Sequence, residues 1–90
     1  STLSAVNFPE VSLPENKSAR RFLHIHENRP GVLTAINQVF QQDGVNIVGQ
    51  YLQTDPQNGY VVIDVETPDV DKALEQLKAI AGTIKARVLY

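Results

Sequence analysis

Apolar residues recur along this chain first at every second position and then at every third or fourth, and the switches between the two rhythms mark out six elements. Phe22, His24 and His26 alternate with Leu23 and Ile25, the two-faced pattern of a strand. Val32, Leu33, Ile36, Val39 and Phe40 follow at helical spacing, and Asp43-Gly44 supplies a left-handed stop. Asn46 to Thr54 reads as a second strand, Asp55-Pro56-Gln57-Asn58-Gly59 as a reversal, and Tyr60 to Glu66 as a third strand with Val61, Ile63 and Val65 on one face. Thr67-Pro68-Asp69 opens a second helix carrying Val70, Ala73, Leu74, Leu77 and Ile80. Gly82 ends that helix, and Ile84 to Leu89 forms the last strand.

The order β-α-β-β-α-β predicts an α+β ferredoxin-like fold, a four-stranded antiparallel sheet with two helices on one face. In that topology the second strand lies at an edge. Its stretch Asn46 to Gln53 carries no charge and no proline, so a lone copy would present an unprotected hydrogen-bonding template. Self-association through this edge removes the exposure. Ser1 to Ala19 shows no sustained period, and Phe8-Pro9, Leu13-Pro14 and Glu15-Asn16-Lys17-Ser18 read as an extended arm and linker over residues 1–19. The folded domain is expected over residues 20–90.

Ninety residues supply one core and no large enclosed active site. A net charge of -2 with scattered Lys and Arg provides no basic stripe for nucleic acid or an anionic membrane. The chain has no Cys, which excludes thiolate metal sites and cysteine nucleophiles and agrees with a reducing cytoplasm. No apolar run is long enough to span a bilayer. The absence of any Met predicts a piece of a longer protein.

The chemistry concentrates where the first strand meets the first helix, at His26-Glu27-Asn28-Arg29-Pro30-Gly31-Val32-Leu33. A helix N-terminus leaves backbone N–H groups without intrahelical partners and carries partial positive charge, so it receives carboxylates and phosphates. Here it stands beside an imidazole and a side-chain amide, which predicts a small-molecule site. Asn28 is also placed to cap the helix, with Pro30 in the first turn where no N–H is needed. A first helix roughly 18 Å long separates Asn28 from Asn46. One subunit cannot bring the two together, but antiparallel pairing of two edge strands about a two-fold axis would set Asn46 of one copy beside the His26–Asn28 turn of the other.

These residues carry a resemblance. His26 to Leu33 followed by Gly44-Val45-Asn46-Ile47 resembles the signature of an ACT domain, the amino-acid-sensing module of metabolic enzymes. Gln50-Tyr51-Leu52-Gln53-Thr54, Gly59 to Val65, Ala86-Arg87-Val88-Leu89-Tyr90 and the arm Ser4 to Val11 extend it toward the C-terminal regulatory domains of the NAD-dependent bacterial dehydrogenases that open serine synthesis. The resemblance implies L-serine as a feedback effector bound between two domains of a homotetrameric cytoplasmic enzyme. It further implies contacts from His26, Asn28, Arg29, Pro30, Gly31 and Val32 of one subunit and from Asn46 and Ile47 of its neighbour. NAD belongs to the parent enzyme, because this chain holds no G-x-G-x-x-G motif. The resemblance is weakest at Asp55-Pro56-Gln57-Asn58 and at the start of the second helix, where no ligand contact is expected.

Simpler roles compete with these. Asn46 also suits the bend after Gly44, and Arg29 suits solvent. His24 and His26 have the spacing of two metal ligands on one face, but no third ligand lies near, so no metal is expected. Two other functional classes fit the same fold. An RNA-binding module would need exposed aromatics, for which Phe22 and Tyr60 are the candidates. An acylphosphatase-type enzyme would hold phosphate in the Asn28-Arg29-Pro30-Gly31 turn, which lacks a longer glycine-rich cradle.

Overall fold

The structure, a computed structural model, describes residues 19–90; the arm and linker expected over 1–19 lie outside them apart from Ala19. Six elements follow in the expected order: β1 (Arg20–Glu27), α1 (Val32–Gln42), β2 (Asn46–Thr54), β3 (Asn58–Glu66), α2 (Val70–Lys78) and β4 (Thr83–Val88). All strand pairs are antiparallel and the sheet runs β2-β3-β1-β4, which leaves β2 at an edge.

Alternation decides what lies between sheet and helices. Phe22 from β1 and Val61, Ile63 and Val65 from β3 meet Val32, Ile36 and Phe40 of α1 and Ala73 and Leu77 of α2 in one buried cluster. The Phe22 and Phe40 rings sit tilted at 6.0 Å. Phe22 therefore faces the core, and Tyr60 is 4% exposed, so neither offers the stacking surface an RNA-binding module needs.

Two irregularities re-aim side chains. The β1–β4 register slips between Ile25 and His26, so that Ile25 lies opposite Lys85 while His26 lies opposite Thr83. A strand with one extra residue turns its next side chain to the other face, and Thr83 thereby joins the side on which α2 packs. The β2–β3 register slips between Ile47 and Gly49.

The helix ends differ from each other. Asp69 caps α2, its carboxylate accepting the Lys72 amide at 3.0 Å. The expected Asn28 cap on α1 does not form. The helix begins three residues later, and its N-cap is Gly31, in the left-handed region at φ 90 with no side-chain hydrogen bond. Pro30-Gly31 makes a turn that a residue with a Cβ would strain to complete, and the Asn28 amide group points elsewhere. At the other end Gly44, at φ 67, supplies the left-handed stop.

Candidate functional site

The strand-to-helix turn and the β2–β3 hairpin are stitched together. The Asn28 amide N–H donates to the Gln57 carbonyl at 2.9 Å, and Asn28 Nδ2 donates to the Asp55 carbonyl at 2.8 Å. Asp55 in turn accepts the amides of Gln57 at 2.8 Å and Asn58 at 2.7 Å on Oδ1. These two amides hold its carboxyl below the usual range. Asn28 is thus a brace between two loops, with its backbone and side-chain N–H groups both given to the hairpin.

His26 stands level with this brace on β1. Its partner across the ladder is Gly59, and the ring occupies the space that a Gly59 side chain would fill: a Cβ there would lie 2.8 Å from Cε1 and 2.9 Å from Cδ2. Gly59→Ala is expected to push the imidazole from its seat and destabilise the domain by about 1–3 kcal/mol, the range for overpacking a filled site. Unfolding in urea checks this; an unchanged midpoint would mean that the ring moves aside freely.

Behind His26 lies His24, whose side chain is fully enclosed. Nδ1 of each ring faces that of the other at 3.3 Å. His24 Nε2 reaches Thr83 Oγ1 at 2.8 Å and the Leu77 carbonyl at 3.3 Å, and the Thr83 hydroxyl donates to that same carbonyl at 3.1 Å. Leu77 sits in the last turn of α2, where carbonyls outrun the intrahelical donors; besides the Ile80 amide at 3.3 Å, its oxygen takes these partners from β1 and β4. Burial, with a smaller push from His26, lowers the His24 pKa to about 4, and burial lowers that of His26 as well. Both rings are neutral near pH 7.

The remaining expected residues divide between two places. Arg29, Pro30, Gly31 and Val32 line an open cleft of about 180 Å³ with Ala35, Ile80 and Ala81. Ile80 and Ala81 were not expected there; the turn that returns α2 to the sheet carries no polar signal that would single them out. Arg29 is half exposed and 3.8 Å from an exposed Glu27, a pair worth little in water. Asn46 and Ile47 lie far off. Asn46 pairs with Glu66, seven residues along β3 from the Gly59 that faces His26, or about 23 Å at the rise of a strand. There its Nδ2 donates to Glu66 Oε1 at 3.1 Å. One subunit thus carries the two halves of the expected site at opposite ends of its sheet.

A split β-α-β sheet in the order β2-β3-β1-β4 with two helices is the architecture of an ACT domain, and the chain belongs to that family. Residues 22–85 match the family described as AHAS small subunit-like ACT domain. Over its whole length the chain is 64% identical to a D-3-phosphoglycerate dehydrogenase of Haemophilus influenzae and 65% identical to one of Escherichia coli, and it spans 22% of the length of each. Among solved structures it resembles the ACT domain from GTP pyrophosphokinase of Chlorobium tepidum. The TM-score is 0.68 at 16% identity, covering 79% of this chain and 96% of that one.

Proposed function

We propose that this chain is the C-terminal regulatory domain of a D-3-phosphoglycerate dehydrogenase and that it binds L-serine between two copies, as a feedback signal on serine synthesis. The observation that carries the reading is an identity near two thirds with such enzymes that extends across the whole chain. The oxidation, its NAD and the tetrameric assembly in the cytoplasm then belong to the rest of the parent enzyme.

The sheet register supports the shared site. His26, Gly59 and Thr54 form one row across β1, β3 and β2. An antiparallel pairing of two β2 edges that sets Asn46 of one copy against Thr54 of the other is centred on Gln50. It extends that row to the partner's strand and generates two equivalent sites. The paired edge is free of charge, and Val48 and Leu52 on it are exposed in the single chain. Each site then gathers His26, the Asn28 oxygen and the free amides of the α1 start from one copy. The neighbour contributes the Asn46 amide, which leaves its exposed bond to Glu66.

An α-amino acid matches this set, since it offers a carboxylate for N–H donors and an ammonium for carbonyl-type acceptors. A ligand that bridges copies favours the arrangement it fits, by its difference in affinity between arrangements, commonly about 1–3 kcal/mol. Calorimetric titration of the 90-residue chain with L-serine, glycine and L-alanine, with mass by sedimentation, tests the proposal. The expected result is a dimer that binds serine selectively at one per chain. Asn46→Ala is expected to weaken binding by about 1–3 kcal/mol, because it leaves a ligand group without its partner. A dimer that binds none of the three would overturn the effector assignment, and a monomer would overturn the shared site.

A further inference from the structure

The hydrogen bonds behind His26 form a chain, and one set of proton positions satisfies every contact in it. A carbonyl only accepts, so both groups that approach the Leu77 oxygen must donate to it or face it with a lone pair. The single Thr83 hydroxyl proton goes to Leu77 at 3.1 Å, which leaves the Thr83 oxygen as acceptor for His24 Nε2 at 2.8 Å. The His24 Nε2–H also lies within 3.3 Å of the Leu77 carbonyl. The reverse choice, a bare Nε2 that accepts the Thr83 proton, would turn the nitrogen toward the Leu77 carbonyl at 3.3 Å with no hydrogen between them. A neutral imidazole has one N–H, so His24 Nδ1 is bare, and it accepts from the one atom before it, His26 Nδ1 at 3.3 Å. His26 Nε2 is then left without a proton, and among the described residues no protein group donates to it.

We infer that His24 and Thr83 are positioning residues which fix the tautomer of His26, so that its Nε2 meets the effector only as a hydrogen-bond acceptor. The inference deepens the proposed amino-acid site and rests on it for the identity of the ligand. The proton positions themselves stand on the geometry alone. A bare Nε2 repels a carboxylate and takes a hydroxyl or ammonium hydrogen. The carboxylate is thereby directed to the amides at the start of α1, and the ring is left to read whether a small amino acid carries a side-chain donor. Serine has that hydroxyl and alanine lacks it. The β1–β4 bulge gains a purpose in this reading, since without it Thr83 would face the other side of the sheet.

The test is a long-range proton–nitrogen correlation spectrum of the 90-residue chain labelled with ¹⁵N-histidine. The expected spectrum shows the His26 proton on Nδ1 and the His24 proton on Nε2. A His26 proton on Nε2 overturns the inference whether or not serine binds. In His24→Leu, which removes the acceptor but keeps the enclosed site filled, the His26 proton is expected to move to Nε2. Serine affinity is then expected to fall on the order of tenfold, the loss of one hydrogen bond, while glycine and alanine affinities change little. Thr83→Ser keeps the hydroxyl and is expected to keep both spectrum and serine preference, which Thr83→Val loses. Equal losses for serine and alanine in His24→Leu would overturn the selective role of the ring. A chain that shows the expected spectrum and binds no serine supports the proton relay and overturns the effector assignment instead.

Discussion

Acidification from pH 7 to pH 4 is expected to remove about 3 kcal/mol of folding free energy through His24 alone. The residue ionises near pH 6.5 in the unfolded chain and near about 4 in the folded domain, because an imidazolium has no water there. Between those values the unfolded state binds more protons than the folded one, so stability rises with pH. The contribution is fully present above pH 6.5 and is lost as pH falls through about 4; a difference of roughly 2.5 units corresponds to about 3 kcal/mol. His26 shifts in the same direction and adds to the effect. Asp55, held below the ordinary carboxylate range by two backbone amides, loses its share at lower pH and so does not mimic the histidine step. Urea unfolding at intervals from pH 4 to 7, on the native chain and on His24→Leu, separates the contributions. The variant is expected to lose most of the slope, and equal slopes would remove His24 from the account.

Loss of the Arg21–Asp64 pair is expected to cost about 3–5 kcal/mol. The guanidinium meets the carboxylate in a fork, Nε to Oδ1 and an Nη to Oδ2, each at 2.7 Å. The two side chains are only 14% and 3% exposed, so neither charge retains a full shell of water. Asp64→Ala leaves an enclosed guanidinium without its carboxylate, which is the expensive way to break such a pair. Arg21 also lies over the Tyr90 ring at 5.1 Å, an attraction that does not replace an anion. Replacing both partners with leucine removes both charges and is expected to recover much of the loss. Chemical unfolding of the single and double variants reads the difference; a single-variant loss below about 1 kcal/mol would place the pair among ordinary surface contacts.

The fold was legible because its signals are local and consistent. The alternation around His24, the spacing from Val32 to Phe40 and the glycine at position 44 each specify an element without help from distant residues. The edge position of β2 followed from element order alone. What escaped reading depends on long-range placement. Asn28 has the composition of a helix cap, but it is recruited by the Asp55 carbonyl 27 residues away, and Gly31 takes the cap position. β4 begins at Thr83 rather than Ile84 because a bulge opposite His26 recruits the threonine, and no local pattern announces a bulge. His24 reads as half of a metal pair that lacks its third ligand. Only the folded chain puts Thr83 and Leu77 within its reach.

The tie between Asn28 and the hairpin bears on how such a domain can vary over evolutionary time. Hairpin tips are where chains most readily accept insertions and deletions, since the backbone there is exposed and little rests on it. Here the tip carries both hydrogen bonds that hold Asn28. A lengthened or shortened reversal at residues 55–57 would shift that amide directly, whereas a substitution that keeps the two carbonyls in place would leave it undisturbed. Drift in side-chain identity is therefore cheap where the side chain does not shape the turn, as that of Asp55 does, and drift in length is not. The length of the reversal at residues 55–57 thus sets where the turn beside His26 lies.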